Sequence, residues 1–195
     1  ILIRSGEAIQ AMRDVRVVVF DKTGTLTRGK PEVTDQISNP KSQISNDELL
    51  QWAASVEIGS EHPLGKAIVR QALRPFGFAQ DRRGSGQAEE QELALGDLTD
   101  FEAVRGKGVQ GTVDGKSVLV GSRALLEEHG VAVAALEDDM RRLEDEGKTA
   151  MLVAVDGELL GLLAVADTLK DDAVAAVREL RALGLQTAMI TGDNQ

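Results

Sequence analysis

The 195-residue sequence is 42% hydrophobic but only 3% aromatic, so aliphatic side chains must fill its core, and its length allows one large domain or two small ones. A formal net charge of −10 argues against nucleic acid or an anionic membrane surface as a partner. There is no cysteine, and His62 and His129 are the only histidines, which excludes disulfides and thiolate metal sites and leaves no basis for expecting a transition-metal site.

No apolar run approaches the ~20 residues that a bilayer-crossing helix requires. No secretory leader is visible either. The sequence begins without Met and stops just after a Thr-Gly-Asp-Asn motif, so a segment cut from a longer polypeptide is expected.

Residues 5–12 read as a short helix with Ile9 and Met12 inward. Val17-Val18-Val19-Phe20 follows, an apolar run without polar alternation that suits a strand buried on both faces of a parallel sheet. Asp21-Lys22-Thr23-Gly24-Thr25-Leu26-Thr27 comes directly after it. A carboxylate in that place sits at the carboxyl edge of the sheet, where open α/β folds bind ligands. Gly24 permits a tight turn, and the hydroxyls of Thr23, Thr25 and Thr27 gather at the same corner. Such a carboxylate is a candidate acceptor for a phosphoryl group.

Ser45-Asn46-Asp47-Glu48 is a capping box, which predicts a helix to about residue 56 or 57 with Trp52 in the core. Pro63 suits the first turn of the next helix, with Leu64, Ala67, Ile68 and Leu73 inward. His62 precedes that start, where outward amides could meet an anion or a purine edge. Residues 75–92, rich in Gly, Gln and charge, carry no sustained period and read as an exposed insertion.

Strand signals return from Leu98. Gly106-Lys107-Gly108 marks a turn, which by itself is weak evidence for any ligand. Asp114-Gly115 and Asp156-Gly157 fit two-residue hairpin loops. Between the hairpins, residues 134–146 read as a helix with Leu136, Met140 and Leu143 on one side. Ala173, Ala176, Val177, Leu180 and Leu183 form the stripe of another helix, with Gly184 as its cap. The strand Gln186 to Ile190 then delivers Thr191, Gly192 and Asp193. Two apolar strands therefore end in Thr/Gly/Asp clusters, with an α+β unit of antiparallel strands inserted between them.

Together DKTGTLT at 21–27, SEHPLG at 60–65, GKG at 106–108, VLVG at 118–121, ADTLK at 166–170 and TGDN at 191–194 resemble the cytoplasmic ATP-hydrolysing region of heavy-metal (copper- or zinc-class) P-type ATPases. The resemblance implies an α/β fold: a partial Rossmann-like, haloacid dehalogenase-type phosphorylation domain at 1–28 and 166–195, interrupted by an α+β nucleotide-binding domain at 29–165. It implies a catalytic group of Asp21, Lys22, Thr23, Thr191, Gly192 and Asp193. Asp21 would accept the γ-phosphoryl group of ATP, with Mg²⁺ held by the Asp21 carboxylate and the Thr23 carbonyl. Thr191 and Gly192 would contact the phosphate, and Asp193 would position the nucleotide and metal end. Glu57 and His62 would meet adenine, with Glu61 beside them, while Gly106, Gly108, Gly121 and Ser122 would lie against the nucleotide. Asp167 and Lys170 would lie at the hinge between domains.

The partners so implied are ATP and the pump's own membrane helices and actuator domain, which would place this chain on the cytoplasmic side of a membrane protein, with copper(I) the favoured cargo and zinc or cadmium the alternative. Ser122 departs from the family's usual Asn. The family's GDGxND acidic pair does not occur in the sequence, so the 195 residues are expected to bind ATP without turning it over. A soluble phosphatase of the same topology is the rival reading. Such enzymes place a second Asp two residues after the first, where this chain has Thr23. A non-catalytic nucleotide-binding module is a third.

Overall fold

In the computed structural model the described residues are 6–7, 10, 13–74 and 93–190. Most of the expected helix at 5–12, all of the 75–92 segment and the 191–194 motif lie outside them. The chain divides into two compact units, residues 1–30 with 167–195 and residues 31–166.

In the first unit, β1 (Val17–Asp21) pairs in parallel with β8 (Gln186–Ile190), from Val17 opposite Gln186 to Asp21 opposite Ile190. The helix α5 (Ala173–Ala182) precedes β8 and packs on it. It closes on Gly184 in the left-handed region, with Leu185 N–H donating to Leu180 O and Gly184 N–H to Arg181 O. The expectation of a strand buried on both faces is corrected here. Val18 and Phe20 are half-buried, but Val17 and Val19 are 48% and 53% exposed. Among the described residues this sheet has two strands and one packing helix, too little to cover both faces. The α5 stripe is open for the same reason: Ala173 is buried and Val177 and Leu180 half-buried, but Ala176 is exposed and Leu183 is 77% exposed.

The second unit is built on a six-stranded sheet. β2 (Thr27–Ser38) leads out of the first unit and β7 (Glu158–Leu169) returns to it. The remaining strands are β3 (Leu98–Val104), β4 (Gly108–Val113), β5 (Lys116–Gly121) and β6 (Thr149–Val155), in the order β2-β7-β6-β5-β4-β3. Every pairing from β3 through β7 is antiparallel. The β4–β5 and β6–β7 loops are Asp114-Gly115 and Asp156-Gly157, all four residues at positive φ as the tight mirror-image hairpin turn demands.

Alternate residues of these strands feed two separate cores. Val118, Val120, Val153, Val155, Leu163 and Val165 pack with α1 (Asn46–Glu57) and α2 (Pro63–Ala72). Leu119, Leu152, Ala154, Leu162 and Ala164 pack with α3 (Arg123–Glu128) and α4 (Glu137–Asp145). Burial on both faces is why β6 and β7 read as continuous apolar runs.

The α1 capping box is complete: Ser45 Oγ accepts from Glu48 N–H at 3.1 Å, and the Glu48 carboxylate accepts from Ser45 N–H at 2.8 Å. Trp52 is half-buried against the first core, with the Lys116 ammonium 5.2 Å from its ring centre. Three local expectations shift. Leu73 caps α2 and is exposed, Ala72 taking the inward place. The predicted helix at 134–146 is a 3₁₀ turn at Ala134–Leu136 followed by α4. Finally, β7 runs on to Leu169, so Asp167 and Thr168 are strand residues.

The resulting architecture, a parallel α/β piece interrupted by an α+β unit on an antiparallel sheet, is the fold class that the sequence motifs imply.

Candidate functional site

Asp21 is the last residue of β1, in extended conformation, with its side chain exposed. The chain then makes a wide turn over Lys22–Leu26, closed by Thr27 N–H donating to Lys22 O. Gly24 sits at φ +76°, a left-handed conformation that L-residues with a Cβ rarely adopt.

Thr27 is 1% exposed and organises the turn from beneath. Its hydroxyl accepts Gly24 N–H at 3.1 Å, lies 3.0 Å from Lys22 O, and donates to the Asp167 carboxylate. The other Asp167 oxygen accepts Lys30 N–H at 3.2 Å. Lys170 grips the same turn twice: its N–H donates to Leu26 O at 2.9 Å and its ammonium to Gly24 O at 2.8 Å. The ADTLK segment therefore holds the loop after Asp21 in place, a role that the hinge expectation does not include. Thr23 and Thr25 are exposed, so of the three threonines expected to gather at this corner Thr27 is the one turned inward. Asp21 stands opposite Ile190 in the register, so both apolar strands end at the same edge. Thr191, Gly192 and Asp193, next in sequence, lie outside the described residues.

In the second unit, Glu57 is the final residue of α1 and 2% exposed. Burial raises its carboxyl to about 7, against a smaller opposing effect of a hydrogen bond from Ser60. The Ser60 hydroxyl in turn accepts His62 N–H at 3.2 Å. Glu57 Oε2 has no hydrogen-bond partner, and a Cβ at Gly65 would overlap it. His62 is exposed and is the N-cap of α2, its Nδ1 accepting Leu64 N–H at 3.3 Å, which puts the ring proton on Nε2. Glu61, beside it, is exposed. The sequence reading quotes Ser60 and Gly65 within the SEHPLG block but gives neither of them a role at the site.

The glycines divide by cause. Gly106 is at φ +73° with nothing near a Cβ, so its conformation requires glycine. Gly108 and Gly121 face each other across β4 and β5, and a Cβ on either would overlap backbone of the other strand. Ser122 follows with its N–H donating to Lys107 O at 2.7 Å and its own hydroxyl buried without a partner. Among the described residues no cluster of three or more His, Cys, Asp or Glu could hold a metal ion.

The sequence profile of the haloacid dehalogenase-like hydrolases matches residues 15–195, and the chain belongs to that family. It is also 44% identical over its whole length to the copper-exporting P-type ATPase of Bacillus subtilis, covering 22% of that protein. It is 43% identical to a copper-transporting P-type ATPase of Rhizobium leguminosarum bv. viciae, covering 21% of it. Among solved structures, a zinc-transporting PIB-type ATPase in the E2·Pi state superposes on 99% of this chain with a TM-score of 0.80 at 38% identity, over 28% of its own chain. The chain thus spans less than a quarter of the curated relatives' length, and the resemblance to heavy-metal P-type ATPases carried by its motifs holds across all of it. Among the described residues no helix is long and apolar enough to cross a membrane.

Proposed function

We propose that the chain is the catalytic region of a heavy-metal-translocating P-type ATPase, in which residues 1–30 and 167–195 take the phosphoryl group and residues 31–166 present ATP. The observation that carries this is Asp21: an exposed carboxylate at the end of a parallel strand, followed by a turn pinned by Thr27, Asp167 and Lys170. A side-chain oxygen of Asp21 attacks the γ-phosphorus, the bond from that phosphorus to the β-bridging oxygen breaks, and ADP leaves. The carboxylate becomes an aspartyl-phosphate, which divides hydrolysis into two easier steps. Holding the turn rigid matters because phosphoryl transfer depends on positioning and charge neutralisation.

The donors at the strand end fit magnesium, a hard cation that takes one or two carboxylates and completes its shell with substrate phosphate and water. The Asp21 carboxylate and Thr23 carbonyl would hold it, and it would supply neutralisation of phosphate charge. Thr23 also bears on the rival reading. A phosphatase needs a resident base two residues after its nucleophile, and a threonine there leaves the aspartyl-phosphate long-lived, which favours a pump. Copper is the cargo favoured by the names of the curated relatives, and zinc is the alternative that the similar solved structure's name offers.

The experiment is incubation with γ-labelled ATP and Mg²⁺. Acid-stable label on the wild-type chain and none on Asp21→Asn supports the proposal, with little steady release of phosphate. Label that persists in Asp21→Asn would overturn it.

A further inference from the structure

Phe101 stands where a regular strand would not put it. Leu98 and Phe101 both pack against the first core, yet they lie three residues apart in β3, a spacing that sends side chains to opposite faces of an unbroken strand. The register against β4 slips between Thr99 and Glu102, and Asp100 takes φ +52°. Among the described residues Asp100 is the one non-glycine inside a strand at positive φ, the others standing in loops or hairpin turns. A bulge of this kind re-aims a side chain, and a strained backbone persists only where its surroundings hold it.

The bulge aims the ring at Gly59. A Cβ there would stand 2.8 Å from Cγ and Cδ2 of Phe101, so the ring lies directly on the glycine's backbone. Gly59 is not among the glycines in the left-handed region, so the ring and not the backbone conformation calls for glycine at this place. Gly59 belongs to the turn that leads from α1 into the SEHPLG block. Beside it Ser60 N–H donates to Glu57 O at 2.9 Å, and Ser60 Oγ accepts His62 N–H at 3.2 Å. Glycine is the loosest residue a turn can carry. A ring laid on it from a neighbouring strand takes that looseness away.

We propose that Phe101 is a positioning residue for nucleotide binding: pressed onto Gly59 by the Asp100 bulge, it fixes the turn that carries Ser60 and His62. The inference rests on the reading of residues 31–166 as the unit that presents ATP, and it adds a residue that lies outside every motif block. The ring acts through the backbone of the turn. A turn that is already ordered spares the ligand the cost of ordering it, so loosening the turn lowers affinity without removing any contact to the nucleotide.

The test is calorimetric titration of the 195-residue chain with ATP, each variant being checked for folding by circular dichroism. Phe101→Leu keeps an apolar side chain in the core but loses the flat ring, and the folded variant should bind ATP about tenfold more weakly. Phe101→Tyr retains the ring and should bind as the wild type does. Gly59→Ala should weaken ATP as well, because its methyl group displaces the ring. In Phe101→Ala the space over Gly59 is empty, so adding Gly59→Ala to it should cost no further affinity. Wild-type ATP affinity in Phe101→Leu, whatever its thermal stability, would make the ring a packing residue alone and overturn the inference while the nucleotide site stands. Losses that multiply in the double variant would overturn it too. Absence of saturable ATP binding by the wild-type chain would instead remove the nucleotide site itself, and the inference with it.

Discussion

Thr27 and Asp167, 140 residues apart in sequence, share a hydrogen bond from a buried hydroxyl to a carboxylate. Because the same hydroxyl accepts Gly24 N–H, one atom ties the turn after Asp21 to β7. Replacing Thr27 with Val keeps the shape and removes the polar link. The change should cost roughly 1–3 kcal/mol, since Gly24 N–H loses its partner and the Asp167 carboxylate loses a donor. Urea unfolding should show that loss, and labelling of Asp21 by γ-labelled ATP should slow in the same variant.

Lys170 makes the second tie, through its ammonium to Gly24 O. Lys170→Met retains the backbone bond to Leu26 O and most of the side-chain volume. Amide hydrogen exchange in residues 23–27 should therefore rise while exchange in β1 stays unchanged. Unaltered exchange in the turn would show that the ammonium does not hold it.

The paired glycines of β4 and β5 make a sharper claim. Gly121→Ala sets a methyl group against Lys107 O and Gly108, neither of which can move without spreading the strands. About 2 kcal/mol or more should be lost in thermal or urea unfolding. Gly106→Ala meets no neighbour and should lose only about 1 kcal/mol, from its positive φ. Equal losses at the two positions would contradict this division.

Glu57 also links stability to pH. Its carboxyl titrates at about 7 in the folded chain against an ordinary 4.5, so between those values the folded state holds a proton that the unfolded state has released. Stability contributed by this group is therefore full below pH 4.5, declines as pH rises through the window, and is lost above 7. Glu57→Gln cannot ionise and should gain on wild type by up to about 3 kcal/mol between pH 4.5 and 8. Denaturation series at those two pH values give the difference; a constant gap would refute the coupling.

Much of this was legible in the order of residues. The apolar run before Asp21 and the strand before Thr191 announced a shared sheet edge, and the Ser45–Glu48 box fixed the start of α1. The Asp-Gly pairs placed both hairpins. Other features left no local trace. Apolarity in Val17–Val19 reports a strand but not how many neighbours cover it, so the open face was invisible. The Thr27–Asp167 bond depends on β7 continuing past Val165, which no nearby signal required. An acid at the end of an amphipathic helix ordinarily faces water, and only the overlap at Gly65 explains why Glu57 does not.

The two-sided packing of the central sheet has a practical outcome. Among the described residues both aliphatic clusters are drawn from between Val33 and Val165, so a gene fragment encoding Pro31 to Ala166 carries all of those side chains. Expressed alone, that piece should give the dispersed amide spectrum of a folded protein, with peaks overlaying those of the same residues in the longer polypeptide.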